Sequence, residues 1–322
     1  VLYLLEGWKN GGVEDWKMRK LASNLPIVQA SHFAAFVAGV VYAFTASRLI
    51  YAALGHYGIF STEWVPFYTL FMVKTVHQPG WKNAVLAGLF ATLALLCDMM
   101  FGPFLSSLTV IYLLFVLSRR SKNNLALLFR LAVLVVTIVV MYSPLLIHVL
   151  REMLASEYVL KGWGEALKLS TDLFGFLTPT ALHPLWGRDW RGELRAVVEG
   201  TSRFSDVNTV VIGYGVLILA ALATVRYWSL LRAWAISALT FAVLCLGPVL
   251  HINGRYRFDL DGLEMTFPLP YALLHYIPLI KENRAPNRFS VVLTLSLAVL
   301  VGFGVKWILT RVRIKGPIYY IV

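Results

Sequence analysis

The residues able to do chemistry are gathered most densely between His251 and Phe289, in HINGRYRFDLDGLEMTFPLPYALLHYIPLIKENRAPNRF. This stretch lies between two long apolar runs. It carries five cations (Arg255, Arg257, Lys281, Arg284, Arg288) and four carboxylates (Asp259, Asp261, Glu264, Glu282). Pro268, Pro270, Pro278 and Pro286 exclude one continuous helix. Charged, irregular backbone beside membrane spans is costly unless it lines a protein-covered or watery cavity. The stretch is therefore expected to form a membrane-face site for an anionic, lipid-borne substrate. Arg284 and Arg288, four apart astride Pro286, stand where the last hydrophobic segment begins. Planar guanidiniums recognise phosphate bidentately, and a helix start adds its positive dipole end. The plainer reading is interfacial anchoring, but arginines are disfavoured on the outer face of a membrane.

Carboxylates with a chemical reading lie elsewhere. Glu63, in STEWVP, and Asp98 sit in or beside apolar spans, where acidic groups are expensive. An outward-facing carboxylate of this kind is what a base taking a proton from an acceptor hydroxyl requires; simple exposure at a span end is the alternative. Asp172 and His183 lie in STDLFGFLTPTALHPLWG, among aromatics and prolines. Polar groups beside aromatic faces suit a sugar-binding wall, against the alternative of an interfacial segment with Trp186 at headgroup level. Arg48, followed by the turn Gly55-His56, either pairs with Glu63, reaches a phosphate or snorkels to the interface. No Gly-rich phosphate loop, HExxH, GxSxG or CxxC is present, so nucleotide or zinc chemistry has no support. No cofactor is expected, and the sequence does not support a divalent metal.

The elements that must position these groups are membrane helices. Of the 322 residues 58% are hydrophobic and 14% charged, with mean hydropathy +0.69. A soluble domain is about 25% charged. The net charge of +12 does not indicate nucleic acid, because the cations cluster at the ends of apolar runs. Cys97 and Cys245 both lie inside apolar runs, so no disulfide framework follows. The opening VLYLLEGWKNGG has no basic leader and no initiator Met and begins within an apolar stretch. The chain is expected to lack N-terminal spans.

Hydropathy predicts an all-α polytopic integral membrane protein of about eight transmembrane helices. A basic cytoplasmic segment, 1–30, precedes a span near 31–54 and, after the turn 55–58, a second to about Val76. Residues 84–117 are too long for one span and are broken at Asp98 and Gly102-Pro103, which predicts a two-helix hairpin with Asp98 near its outer tip. Further spans follow near 125–150, 209–225, up to Leu250, and 289–309. Two sizeable extracytoplasmic loops, 151–208 and 251–288, complete the single transmembrane domain. In this layout every acidic residue except Glu6, Glu14 and Asp15 lies outside, while more than half of the 29 Lys and Arg lie inside. No inverted repeat of the transporter kind is visible.

Three stretches carry a resemblance: AAFVAGVVYAFTASRLIYAALGHYGIFSTEWVPFYTLFM, STDLFGFLTPTALHPLWG, and LCLGPVLHINGR with PLPYALLHYIPLIKENRAPNRFSVVL. Together they resemble bacterial membrane proteins of the GT-C glycosyltransferase type and the related YfhO-like family, over about residues 34–304. The resemblance implies a multi-span protein that transfers sugar from a polyprenyl-phosphate donor to a glycan, lipid or protein acceptor. The reaction would take place on the outer face of the bacterial plasma membrane. It also implies Arg284 and Arg288 as holders of the lipid phosphate and Asp172 and His183 as sugar-side residues. Arg255 and His56 join the substrate-binding candidates, and Asp98, Asp172 and Glu63 are the candidate bases. The acid usual in the first outer loop of such enzymes has no counterpart here, in keeping with missing N-terminal spans. A lipid-linked saccharide transporter and a non-catalytic subunit of an envelope-assembly complex are the alternatives.

Overall fold

The computed structural model of the chain describes residues 1–5, 25–118, 124–155, 164–178, 210–252, 255–274, 276 and 285–311. His183, Arg284 and most of the expected loop 151–208 lie outside these residues.

Among the described residues the chain is predominantly helical. In order come α1 (Leu2–Leu5), α2 (Leu25–Ala43), α3 (Ala46–Ala53), α4 (Tyr57–Phe60), α5 (Trp64–His77), α6 (Lys82–Cys97), α7 (Phe101–Leu117) and α8 (Asn124–Ala155). Then follow α9 (Gly164–Lys168), a 3-10 turn (Leu173–Phe176), α10 (Tyr214–Arg226) and α11 (Trp228–Cys245). A two-stranded hairpin (β1 Phe258–Leu260, β2 Leu263–Met265), α12 (Tyr271–Leu274), a second 3-10 turn (Pro286–Phe289) and α13 (Ser290–Arg311) complete the order.

Among the described residues three stretches are helical for long enough, and apolar enough, to cross a membrane: Leu125–Glu152, Trp228–Cys245 and Pro286–Arg311. A fourth is formed if Gln29–Ala43 and Ala46–Ala53, bent by 41°, are one broken span. The expected count of eight is thus not reached by single long helices. The reason is that hydropathy registers apolar residues and not unbroken helix. Of the expected second span, α5 keeps only 14 residues, about 21 Å against a hydrocarbon core of about 30 Å. The expected sixth span keeps 13 residues in α10.

The chain divides into two compact units, Val1–Thr45 with Ile212–Leu239 and Leu293–Val322, and Ala46–Val211 with Thr240–Val292. In the first, α10 approaches α13 closely: a Cβ on Gly304 would stand 2.5 Å from the carbonyl oxygen of Leu219. Small residues permit such backbone contact where no water drives association. In the second unit, Ala84, Ala87, Ala91 and Ala94 form a buried small-residue face on α6. The preceding helix, α5, forms a hairpin with α6 through the turn 78–81 and stacks Trp64, Phe67 and Phe71 along Phe90, with centroids 5.1–6.0 Å apart. Such offset stacks add to the area they bury.

The expected break within 84–117 falls at Asp98–Met100. Asp98 is extended (φ −155°) and its Oδ1 accepts from Met100 N at 2.8 Å, which turns the chain. Gly102-Pro103 is not the break. It occupies the first turn of α7, where a missing N–H costs nothing. The all-α expectation also needs one correction. Residues 258–265 form an antiparallel hairpin in which Phe258 faces Met265 and Leu260 faces Leu263. Its turn is Asp261-Gly262, both at positive φ, and Asp259 Oδ1 accepts from Gly262 N. An Asp-Gly pair between alternating apolar residues favours this turn, because its twist matches that of the strands.

Candidate functional site

The site grows from the four residues Pro286–Phe289. Pro286 opens the 3-10 turn, where its fixed φ suits a helix start and its absent N–H leaves nothing unsatisfied. Phe289 is buried and packs against Phe104 at 4.5 Å, Phe241 at 5.8 Å and Tyr271 at 6.1 Å. This aromatic anchor fixes the direction of the preceding Arg288. Asn287 is buried as well; its N–H donates to Leu169 O, and its Oδ1 accepts from the Tyr51 hydroxyl at 2.9 Å.

A strap, 169–173, braces the turn from outside. Thr171 N donates to Cys245 O and Leu173 N donates to His251 O. The strap lies so close to Gly247 that a Cβ there would stand 1.8 Å from Ser170 Oγ. Gly247 also has φ +79°, so glycine is needed twice over.

Arg288 reaches from this turn to Asp98, with Nη1 and Oδ2 3.7 Å apart and the side chains 24% and 20% exposed. At that length the pair is an ion contact and not a tight hydrogen bond. The guanidinium also lies 5.8 Å from the centre of the Tyr51 ring. Its Nε is buried and has no hydrogen-bond partner among the described residues. Buried guanidinium N–H groups are seldom left unmatched, so this one is a donor in want of an acceptor.

A second pair lies one helical turn from Tyr51 along α3. Arg48 Nη2 stands 3.6 Å from Glu63 Oε2. The Arg48 side chain is 17% exposed, and its guanidinium sits 4.9 Å over the Phe60 ring. Arg48 faces Glu63 and Phe60 within the protein, and its Nε, like that of Arg288, is buried without a hydrogen-bond partner among the described residues. The short α4 links the two pairs. Phe60 carries Arg48 at one end, and Gly58 meets the tip at Asp98, where an added Cβ would stand 2.8 Å from Cys97 O. His56, just before α4, is pushed below the usual histidine value, first by burial and then by the positive charge of Arg288. It is thus biased towards neutral imidazole at neutral pH.

The structure therefore gathers four of the sequence candidates, Arg288, Asp98, His56 and Glu63, on the two sides of α4. The others are used differently. Asp172 accepts from Phe174 N at 2.9 Å and starts the 3-10 turn that ends the strap. Arg255 is exposed, in a backbone bridge with Ile252. Among the described residues no group of three or more His, Cys, Asp or Glu is placed to hold a metal ion. No protein family, curated protein or solved structure matches the chain.

Two members of the site, Tyr51 and Asn287, were not singled out by the sequence. The signal for Tyr51 was its position three residues after Arg48, on the same face of a short helix. For Asn287 it was an amide between Pro286 and Arg288 at the entry to the last apolar run.

Proposed function

We propose that the chain is a membrane glycosyltransferase of the GT-C type, moving a sugar from a polyprenyl-phosphate donor to an extracytoplasmic acceptor. One observation carries the reading: Arg288 has a buried Nε without a hydrogen-bond partner among the described residues, and its guanidinium meets a loosely placed carboxylate and Tyr51, beside Asn287 and His56 in an otherwise apolar scaffold. A guanidinium held in this way suits a lipid phosphate, which offers several acceptors to its fork of donors.

In the reaction an acceptor hydroxyl oxygen bonds to the anomeric carbon, and the bond from that carbon to the donor phosphate oxygen breaks. The electron pair leaves on the phosphate, where Arg288 meets the growing charge. The hydroxyl proton passes to a carboxylate. Phosphate and Asp98 compete for one guanidinium, so donor binding releases Asp98 from Arg288 and frees it to act as that base. Glu63, held by Arg48, is the other carboxylate close to α4. Arg284 and His183, which the resemblance assigns to the phosphate and sugar sides, lie outside the described residues.

The test uses the chain in liposomes with a radiolabelled polyprenyl-phosphate hexose, following both retained lipid and sugar released to acceptors. Arg288→Ala is expected to weaken retention about 10- to 100-fold, the worth of one charge-assisted contact. Asp98→Asn is expected to keep retention while transfer falls by about 10²-fold or more, as for loss of a general base. Retention without transfer in the unaltered chain would mark a carrier of lipid-linked sugar. Unchanged retention in Arg288→Ala would sink the phosphate assignment.

A further inference from the structure

The β1–β2 hairpin has two faces of opposite chemistry. Phe258 opposes Met265 and Leu260 opposes Leu263, which puts four apolar side chains on one face. Asp259 and Glu264, opposed between them, belong to the other. Arg257 joins that second face, with Nη1 3.4 Å from Glu264 Oε2. Phe267 extends the first, since its ring lies 5.5 Å from that of Phe258. Alternation of this kind normally turns the apolar face to a core. Here Leu260, Leu263, Met265 and Phe267 are all exposed, Leu263 at 62%.

The place of the hairpin in the chain identifies what this face meets. One candidate span ends at Cys245 and another begins at Pro286. These two ends lie side by side: Phe241 packs against Phe289 at 5.8 Å, and Cys245 Sγ is 4.0 Å from Asn287 O. The stem of the hairpin is fixed at the same level. Leu250 N donates to Phe267 O and Leu269 N donates to Pro248 O, only a few residues past Cys245. From Phe267 back to Gly262 the strand reaches about 17 Å, more than the 10–12 Å diameter of a helix. Lying flat, it extends past the span ends and over lipid.

We infer that the hairpin lies flat on the bilayer, on the membrane face that carries Arg288, with its apolar side against lipid acyl chains and its carboxylates towards water. A protein partner fits less well. Three residues of strand make a face about 10 Å long and two strands wide, far short of the roughly 800 Å² that each partner gives to a stable interface. A lipid surface sets no such minimum, because partition follows the apolar area buried. Headgroup charge is not the attraction, since residues 257–267 hold one Arg against Asp259, Asp261 and Glu264. Among the described residues the sheet has only these two strands, so each keeps an open edge. Open edges are not tolerated in hydrocarbon, which keeps the hairpin at headgroup level. No residue of the hairpin enters the glycosyltransferase reading, so either can fail alone.

The experiment uses the full chain, with Cys97 and Cys245 replaced by serine, in nanodiscs of dioleoyl phosphatidylcholine that leave both membrane faces open to solvent. Leu263→Cys, Glu264→Cys, Met265→Cys and Thr266→Cys, each at an exposed position, carry an NBD fluorophore one at a time. Quenching is read from iodide in the water and from phosphatidylcholine bearing a doxyl group at carbon 5 of an acyl chain. Lipid quenching at Leu263→Cys and Met265→Cys is expected to exceed that at Glu264→Cys and Thr266→Cys about twofold or more, with iodide in the reverse order. Adding Leu260→Asp is expected to raise iodide quenching at Leu263→Cys to the level of Glu264→Cys. Including dioleoyl phosphatidylglycerol is expected to leave the pattern unchanged. Equal iodide quenching at all four positions, without lipid quenching, would place the hairpin in water and overturn the inference. So would shielding of Leu263→Cys and Met265→Cys from both quenchers, which would mark a protein surface or a second copy on this face. A pattern that forms only with phosphatidylglycerol would also overturn it, in favour of attraction by charge.

Discussion

At the scale of single residues, the arrangement around Arg288 makes anion binding depend on pH. His56 is held below its ordinary value by burial and by Arg288. A phosphate on Arg288 offsets the second of these, so the His56 value rises when the anion binds. A group whose value rises on binding takes up a proton with the ligand, and affinity then increases as pH falls. The ordinary value is about 6.5, so the increase is expected below that pH and should level off once free His56 is itself protonated. Donor retention measured between pH 5 and 8 is expected to tighten towards the acid end, and His56→Gln should flatten the profile. A profile equally steep in His56→Gln would assign the titration to another group. Tyr51 belongs to the same scale: its hydroxyl on Asn287 ties α3 to the turn that carries Arg288.

At the scale of elements, the site depends on close approaches that side chains would prevent. α4 passes over the last carbonyl of α6 because position 58 has no Cβ; an alanine there would meet Cys97 O at 2.8 Å, too near for any real Cβ contact. Gly58→Ala must move α4 or the tip at Asp98. It is expected to cost about 1–3 kcal/mol in stability, as overpacking does. Loss of sugar transfer should exceed loss of helix content by circular dichroism. Transfer unchanged in Gly58→Ala would show that the position of the tip does not matter. Much at this scale was legible beforehand. The charged stretch ending in RAPNRF, the break near Asp98 and the helix from 125 all follow from proline, charge and hydropathy. The strap 169–173 was not legible, because its bonds to Cys245 and His251 are between backbone groups and leave no mark in side-chain types. Neither were the breaks that shorten α5 and α10. Polar Ser61-Thr62-Glu63 before α5 and Gly213 before α10 mark them, but a hydropathy window averages over such short interruptions.

At the scale of the whole molecule, charge makes a claim that geometry can test. Lys74 and Lys82 stand at one end of the α5–α6 hairpin, and Glu63 and Asp98 at the other. The insertion rule puts the first end in the cytoplasm and the second outside. Yet α5 and α6 span only about 21 and 24 Å along their axes, less than a hydrocarbon core of about 30 Å. Interfacial residues at both ends must make up the difference if the hairpin crosses. Tyr57 and Trp81 are exposed, one at each end, and serve as reporters. In a chain with Cys97 and Cys245 replaced by serine, Tyr57→Cys is expected to react with an impermeant maleimide added outside sealed cells. Trp81→Cys should react only after the membrane is opened. The reverse pattern would put Asp98 and Arg288 on the cytoplasmic side, where an extracytoplasmic acceptor cannot reach them, and would end the proposed function. Reaction of both from outside would mean that the hairpin enters the membrane and returns, leaving the crossing to the three long helices.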